Sequence, residues 1–113
     1  MLVDVFFESK QLADVCSARK ALVRAFGVER AKKIERRLQQ LTAAAVLDDL
    51  RNAPGRCHEL TADRGGQLSL DLDHPHRLIF RPTKQPPPAT AGGGLDWTAV
   101  ESVTIIEIAD THE

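Results

Sequence analysis

Residues 67–73 read QLSLDLD and alternate leucine with polar residues. Successive side chains of a β-strand point to opposite faces, so the pattern places Leu68, Leu70 and Leu72 on one face. A helix instead buries residues three and four apart, and this segment does not offer that spacing. The segment therefore predicts a sheet with one covered face and one polar face.

Three further segments predict strands beside it. Residues 56–61 precede it through a turn at 62–66, and residues 76–81 follow it. In residues 76–81 alternation turns Leu78 and Phe80 toward the core, and turns three others the other way, namely Arg77, Ile79 and Arg81. Residues 100–109 are apolar on both sides, which predicts a strand inside the sheet rather than at its edge.

The first half of the chain changes to helical spacing after a short strand at residues 2–7. Ser9 is suited to cap a helix that runs to Phe26, and Gly27 is suited to end it. A second helix begins at Val28, with apolar residues at helical spacing, namely Ala31, Ile34, Leu38 and Leu41. A helical turn at residues 45–51 leads toward the sheet.

Residues 82–96 contain three consecutive prolines and three consecutive glycines and predict a long loop that Trp97 anchors. Together the segments predict an α+β domain of order β-α-α-β-β-β-β, with a mostly antiparallel sheet and two helices packed on one face. At 113 residues, the chain is expected to form this single domain over residues 1–113.

Composition excludes several classes of protein. The chain is 42% hydrophobic, which is too apolar for a disordered protein, and no apolar run is long enough to span a membrane. Residues 1–7 lack the basic flank and cleavage site of a signal peptide, so we expect a cytoplasmic protein.

Metal and cofactor motifs are absent from the sequence. Cys16 and Cys57 stand alone, without CxxC spacing, and predict two reduced thiols. The four histidines, His58, His74, His76 and His112, form no HxxxH or HExxH pattern. No glycine-rich phosphate loop is present, so we expect neither a metal nor a nucleotide cofactor.

Positive charge is concentrated between Arg19 and Arg37. This segment contains eight basic and two acidic residues, a net charge of +6, although the net charge of the whole chain is −1. Such a segment suits a polyanion or an acidic partner protein, but from charge alone an ordinary solvated helix face is the simpler interpretation.

The polar face of the sheet offers a second cluster. Arg77 and Arg81 share one side of their strand, and Arg64 lies in the turn at residues 62–66. Guanidinium groups bind phosphodiesters, and a nearby imidazole can exchange the proton of a ribose 2′-hydroxyl. Ion pairs of these arginines with Asp63, Asp71 or Asp73 are the simpler alternative.

Four segments follow one another along the second half of the chain: residues 55–60 (GRCHEL), 63–70 (DRGGQLSL), 77–80 (RLIF) and 108–112 (IADTH). In this order they resemble the HigB/RelE toxins of type II toxin–antitoxin modules. The resemblance covers nearly the whole chain. It implies an endoribonuclease that cuts messenger RNA on the ribosome without metal or cofactor. It also implies an antitoxin partner, a HigA-like helix-turn-helix protein through which the toxin reaches operator DNA.

The resemblance also assigns roles to residues. His58 and His112 fall at acid–base positions, Arg77 at the position that stabilises the phosphate, and Asp110 at an acidic C-terminal position. RNA contacts are expected from Arg64 and Arg81 on the sheet. The second helix would contact ribosomal RNA through Lys32, Lys33, Arg36 and Arg37.

Two positions depart from the family pattern and keep an alternative open. Thr61 stands where a lysine is common, and Thr111 where an aromatic residue is common, so base stacking at that site is either lost or supplied by Trp97. The alternative is a weak or inactive toxin fold that acts by binding its antitoxin or another partner. Alternation also places His58 on the same strand face as Leu60, which would bury His58 if Leu60 enters the core.

Overall fold

A computed structural model describes residues 1–110 of the chain and shows a five-stranded sheet with three α-helices. The strands are β1 (Asp4–Phe7), β2 (His58–Glu59), β3 (Leu68–Asp71), β4 (His76–Pro82) and β5 (Ser102–Asp110). The helices are α1 (Lys10–Cys16), α2 (Arg19–Phe26) and α3 (Val28–Ala43). The predicted α+β class is confirmed.

The strands lie in the order β1-β5-β4-β3-β2. β1 pairs with β5 in parallel, and the three other pairings are antiparallel. β5 therefore lies inside the sheet, as its apolar sequence predicts. Its register with β4 shifts between Ile79 and Phe80, whose partners are Glu107 and Ile105, so that Ile106 is an extra, bulged residue.

One face of the sheet packs against the helices. Alternate strand residues, including Leu70, Leu78 and Phe80, join one core cluster with residues of α2 and α3 such as Leu22 and Ile34. Among residues 1–110 no α-helix joins a core on the opposite face, which is called the helix-free face below. By strand alternation it holds His58, Ser69, Asp71, Arg77, Ile79, Arg81, Thr104 and Glu107.

The single helix expected between Ser9 and Phe26 is wrong, because the structure divides it into α1 and α2. Ser9 caps α1 by accepting a hydrogen bond from the Leu12 amide, as predicted. The Ser17 hydroxyl then donates to the Asp14 carbonyl at 2.6 Å, a local bond that competes with helix continuation. Ala18 is extended, so α2 begins anew at Arg19. Gly27, at φ +85°, ends α2 as expected.

The strand expected at residues 56–61 is shorter than predicted and comprises only His58 and Glu59. Arg56 and Ala62 have φ values of +49° and +55°, in the left-handed region, and these values end the extended backbone on both sides. β4 and β5 match their predicted segments to within two residues at each end.

The predicted loop at residues 82–96 folds back on itself. Ala89 bridges Leu95, and the Thr90 amide donates to the Gly94 carbonyl at 2.7 Å. Trp97 closes the loop: it is buried, its Nε1 donates to Glu59 Oε2 at 3.0 Å, and the Arg51 guanidinium lies 4.2 Å from its ring centre. Trp97 thus anchors the loop as predicted, but its burial prevents it from stacking on a base, so the alternative in which Trp97 supplies base stacking is wrong.

In the described part of the chain, no helix has the length and apolar character needed to cross a membrane.

Candidate functional site

His58 lies on the helix-free face beside Ser69, its partner in the antiparallel register. Its Nδ1 is 2.9 Å from the Arg56 carbonyl oxygen. Because a carbonyl oxygen can only accept, we assign the proton to Nδ1, which leaves a lone pair on Nε2 when the ring is neutral. His58 Nε2 is buried and has no hydrogen-bond partner within the described residues. His58 thus presents an unpaired proton acceptor.

The expected conflict between His58 and Leu60 is resolved by the position of Leu60. The Leu60 amide donates to the Gln67 carbonyl, which continues the β2–β3 register and keeps both side chains on the helix-free face. Leu60 is buried there, as is Ile79, and neither belongs to the main core cluster. A small second apolar layer therefore underlies the polar groups of this face.

Arg77 lies on the same face, opposite Asp71 in β3, and is 8% exposed. Its Nε is 3.4 Å from Asp71 Oδ1, and its Nη1 is buried with no hydrogen-bond partner among residues 1–110. Arg56 shares the Asp71 carboxylate through its Nε at 3.1 Å. The ion-pair alternative for Arg77 is therefore correct in part, since Asp71 fixes one side of the guanidinium and leaves Nη1 unused.

Among residues 1–110, Ser69 is the third residue of the helix-free face, with His58 and Arg77, that has an unpaired buried polar atom. It is fully buried, and its hydroxyl also lacks a partner in the described part of the chain. Buried polar atoms in folded proteins are nearly always hydrogen-bonded, so unpaired ones on a single face mark a place where a ligand can bind. The set offers one acceptor at His58, donors at Arg77, and a hydroxyl at Ser69 that can do either. His76 Nδ1 is also unpaired, but its register partner is Asp110 and alternation places it on the helix side.

Arg64 and Arg81 border this set. Arg64 Nη1 donates to Gln67 Oε1 at 3.0 Å and to Glu107 Oε2 at 3.3 Å. Arg81 donates to its neighbouring Pro82 carbonyl, and its Nη2 lies 3.7 Å from a Glu8 carboxylate oxygen. Both arginines are on the helix-free face as predicted, each with an acidic neighbour.

The C-terminal residues assigned by resemblance are separated from this face or lie outside the structure. β5 pairs Asp110 with His76, so alternation turns Asp110 toward the helix side, away from Arg77. Its expected role beside His58 and Arg77 is not supported by this placement. His112 and Thr111 lie outside the described residues, and their roles stay predictions.

The basic residues of α3 are the second group of predicted RNA contacts. α3 packs on the sheet through Ala31, Ile34 and Leu41, while Lys32 and Arg36 are exposed and Lys33 is half-buried. Lys32 lies 3.9 Å from a Glu29 carboxylate oxygen. The exposed basic residues are therefore on the opposite side of the sheet from His58 and Arg77, and the two groups of predicted RNA contacts are not brought together.

Arg37 does not belong to that exposed surface, and its expected contact with RNA is wrong. It is 6% exposed, its Nε donates to the Asp71 carbonyl at 2.7 Å, and its Nη1 donates to Gln40 Oε1 at 2.7 Å. Gly55 makes room for it, because a Cβ there would lie 2.9 Å from Arg37 Nε. Burial lowers the pKa of Arg37 from its usual value, and the neighbouring Arg36 adds to this effect. Arg37 is a structural residue that joins α3 to β3.

Neither cysteine is a nucleophile at neutral pH. Burial raises the pKa of the Cys57 thiol to about 12 and that of Cys16 to about 11. Both are free thiols, as expected. Within residues 1–110, no three histidine, cysteine, aspartate or glutamate side chains converge on a point where a metal ion could bind.

Three solved structures have a similar fold. A YoeB/ParE toxin from Agrobacterium tumefaciens is 11% identical, with a TM-score of 0.59 over 97% of this chain and 100% of that one. A YoeB dimer from Staphylococcus aureus is 16% identical, with a TM-score of 0.56 over the full length of both chains. A YoeB-YefM complex from the same organism is 15% identical, with a TM-score of 0.54 and the same coverage.

The chain has the fold of the YoeB and ParE toxins. No protein-family model matches the sequence, and a search of the curated proteins finds no match either. At these identities the likeness to YoeB establishes the fold alone. The finer assignment to HigB stays a prediction.

Two residues of the helix-free face, Ser69 and Glu107, carry no signal of a site in the sequence. Ser69 is one polar residue of an alternating strand, and Asp71 is expected there only as an ion-pair partner for an arginine. Glu107 stands between two isoleucines, and simple alternation from Ile105 would turn it toward the core. The bulge at Ile106 reverses that direction, and a bulge cannot be recognised from this sequence.

Proposed function

We propose that this chain is the toxin of a type II toxin–antitoxin module and that it cuts messenger RNA on the ribosome without a metal ion or cofactor. The observation that carries the proposal is the set of unpaired buried atoms on the helix-free face, His58 Nε2, Ser69 Oγ and Arg77 Nη1. A ribose 2′-hydroxyl beside a phosphodiester is complementary to it, because the hydroxyl donates a proton and the phosphate oxygens accept hydrogen bonds.

In the proposed reaction, the 2′-oxygen attacks the adjacent phosphorus while His58 Nε2 takes the hydroxyl proton. Arg77 stabilises the charge that develops on the phosphate oxygens. The bond from phosphorus to the 5′-oxygen breaks, and His112 gives that oxygen a proton. The products are a 2′,3′-cyclic phosphate and a free 5′-hydroxyl, and water is not needed for this step.

The proposed partners divide between the two sides of the sheet. Messenger RNA binds the helix-free face, with Arg64 and Arg81 contacting its backbone. Lys32, Lys33 and Arg36 contact ribosomal RNA from the helix side, where they are accessible. An antitoxin is the expected protein partner. Two similar structures are YoeB-YefM complexes from Staphylococcus aureus, which supports an antitoxin, whereas its HigA-like helix-turn-helix type rests on the sequence resemblance.

A second function, binding without catalysis, is favoured by one observation. His58 Nε2 is buried, so substrate must reach it by displacing whatever covers it. An inactive toxin fold would act by holding its antitoxin or another protein.

Mapping of 5′ ends after brief induction separates the two functions. Wild type, Arg77→Ala and His112→Ala are expressed to equal levels. The ribonuclease predicts discrete cuts within translated codons in wild type and none in either variant. Intact message in all three, with growth arrest that Arg77→Ala does not relieve, would support binding and contradict the ribonuclease.

A further inference from the structure

Arg64 reaches from the β2–β3 turn across β4 to the strand β5. Its turn is a short 3-10 segment, Ala62–Arg64, and its Nη1 contacts Glu107 on β5. The registers align Glu107 with Ile79 and Ile79 with Ser69, in one row across the sheet. The Arg64–Glu107 contact therefore joins the β2–β3 turn to the far end of this row, in which Ile79 is fully buried.

Only one nitrogen of the Arg64 guanidinium is used in this contact. Nη1 donates to both Gln67 Oε1 and Glu107 Oε2, at 3.0 and 3.3 Å. Arg64 Nε and Nη2 make no hydrogen bond within residues 1–110. These two nitrogens form the edge of a guanidinium that binds a phosphate through two parallel hydrogen bonds. Glu107 and Gln67 thus hold the guanidinium without occupying its phosphate-binding edge.

We propose that Glu107 is a positioning residue for RNA binding: it fixes Arg64 above the Ser69–Ile79 row so that Nε and Nη2 face a backbone phosphate next to the one held by Arg77. The inference rests on the proposed function, since it assigns RNA to the helix-free face. A carboxylate beside a polyanion repels it, and the ion pair with Arg64 offsets this repulsion.

The direction in which Glu107→Ala changes RNA affinity distinguishes a positioning role from a simple effect of charge. Removal of an exposed carboxylate near bound RNA strengthens binding when only net charge matters. Glu107→Ala removes such a carboxylate. We nevertheless expect it to weaken RNA binding, because Arg64 loses its orientation. Asp63, exposed in the same turn, provides the matched control for charge alone.

The experiment measures binding of a 2′-O-methyl RNA 12-mer, which cannot be cleaved because its 2′-oxygens are capped. We expect Arg64→Ala to weaken binding about tenfold, as loss of a charged hydrogen-bonding group does. Glu107→Ala is expected to weaken it about fivefold, and Glu107→Gln, which still accepts from Nη1, to stay within about twofold of wild type. The double variant Arg64→Ala/Glu107→Ala should bind no worse than Arg64→Ala, because the two residues act as a unit.

The outcomes distinguish this inference from the proposed function. If Glu107→Ala binds as tightly as wild type or more tightly, like Asp63→Ala, while Arg77→Ala loses affinity, the positioning role of Glu107 is overturned and RNA binding stands. If wild type does not bind the 12-mer, or Arg77→Ala binds as wild type does, the RNA-binding face is wrong and the inference fails with it. Equal thermal unfolding of the variants confirms that each is folded.

Discussion

Asp71 and Arg77 face each other across β3 and β4, and the Asp71 carboxylate lies 3.4 Å from Arg77 Nε. On the backbone of the same residue, the Asp71 carbonyl accepts a hydrogen bond from Arg37 of α3 at 2.7 Å. Asp71 thus connects the helix layer to the candidate site. It holds one side of the Arg77 guanidinium and leaves Nη1 for a ligand, which is the arrangement that a preorganised phosphate site requires.

Neighbouring arginines on α3 are expected to respond differently to the same substitution. Arg37→Ala leaves the Asp71 carbonyl and Gln40 without their donor and should lower the free energy of unfolding by about 2–3 kcal/mol. Arg36→Ala removes an exposed side chain and should change it by no more than about 0.5 kcal/mol. Urea unfolding of both variants measures this difference. Equal stability of the two would contradict the structural role of Arg37.

Arg36 is expected to contribute to ribosome binding although it does not contribute to stability. Arg36→Ala should reduce the salt dependence of ribosome binding by about one counterion, because one phosphate contact is lost. A slope unchanged from wild type would remove Arg36 from the contact surface.

His58→Asn tests the assigned tautomer. The asparagine amide can still donate to the Arg56 carbonyl, as His58 Nδ1 does, but it has no proton acceptor at the position of Nε2. We expect cleavage to fall about 100-fold or more, the usual loss for a general base, with little change in unfolding. Single-turnover cleavage with urea unfolding as the control measures both. Cleavage within threefold of wild type would exclude His58 as the base.

The ion pair of Arg30 with Asp73 predicts a pH dependence. Burial by itself raises the pKa of Asp73, but hydrogen bonds from Arg30 and the backbone, with the Arg30 charge, outweigh burial and lower the pKa below its usual value. Because this pKa is lower in the folded state, the stabilisation is complete above the unfolded pKa of about 4 and is lost as the pH falls through the folded pKa. Asp73→Asn should therefore destabilise the protein by about 0.5–1 kcal/mol at pH 7.

Urea unfolding at pH 7 and near pH 3 checks this pH dependence. The difference in stability between wild type and Asp73→Asn should shrink at the lower pH. A constant difference at both values would show that the charge of Asp73 contributes nothing.

We expect the stability of the proline- and glycine-rich loop at residues 82–96 to depend on Trp97. Trp97→Phe loses the hydrogen bond to Glu59 and should lower stability by about 1 kcal/mol, whereas Trp97→Ala also loses the ring and should lower it by about 3–5 kcal/mol. Cleavage by Trp97→Phe should match wild type, since Glu59 and Trp97 contact each other away from the helix-free face. Loss of cleavage in Trp97→Phe without loss of stability would instead place Trp97 in the site.

Much of the fold can be predicted because local patterns determine it. Alternation in residues 67–73 identifies β3 and its covered face, and Ser9 and Gly27 mark helix ends through their own backbone preferences. At the division of α1 from α2 the Ser17 hydroxyl bonds to the Asp14 carbonyl and Ala18 is extended, and helical spacing reveals neither feature.

The candidate site is only partly predictable because it depends on register. Alternation within β4 places Arg77 on the polar face. For His58, alternation shows only that it shares a face with Leu60, and the register of β2 with β3 is needed to identify that face. Glu107 cannot be placed by alternation, since the bulge at Ile106 reverses its direction. Arg37 belongs to a basic segment in the sequence, and its packing against Gly55 and its hydrogen bonds to Asp71 and Gln40 distinguish it from exposed Arg36 only in the folded chain.

Cleavage of ribosome-bound message by purified wild type and Arg77→Ala, followed in a single turnover with both proteins shown to be folded, tests the central claim most directly. The account predicts that wild type produces fragments ending in a 2′,3′-cyclic phosphate. It predicts a cleavage rate for Arg77→Ala that is lower by a factor of at least about 100. Equal rates for the two proteins, or intact message with wild type, would contradict the assignment of a ribonuclease site to the helix-free face.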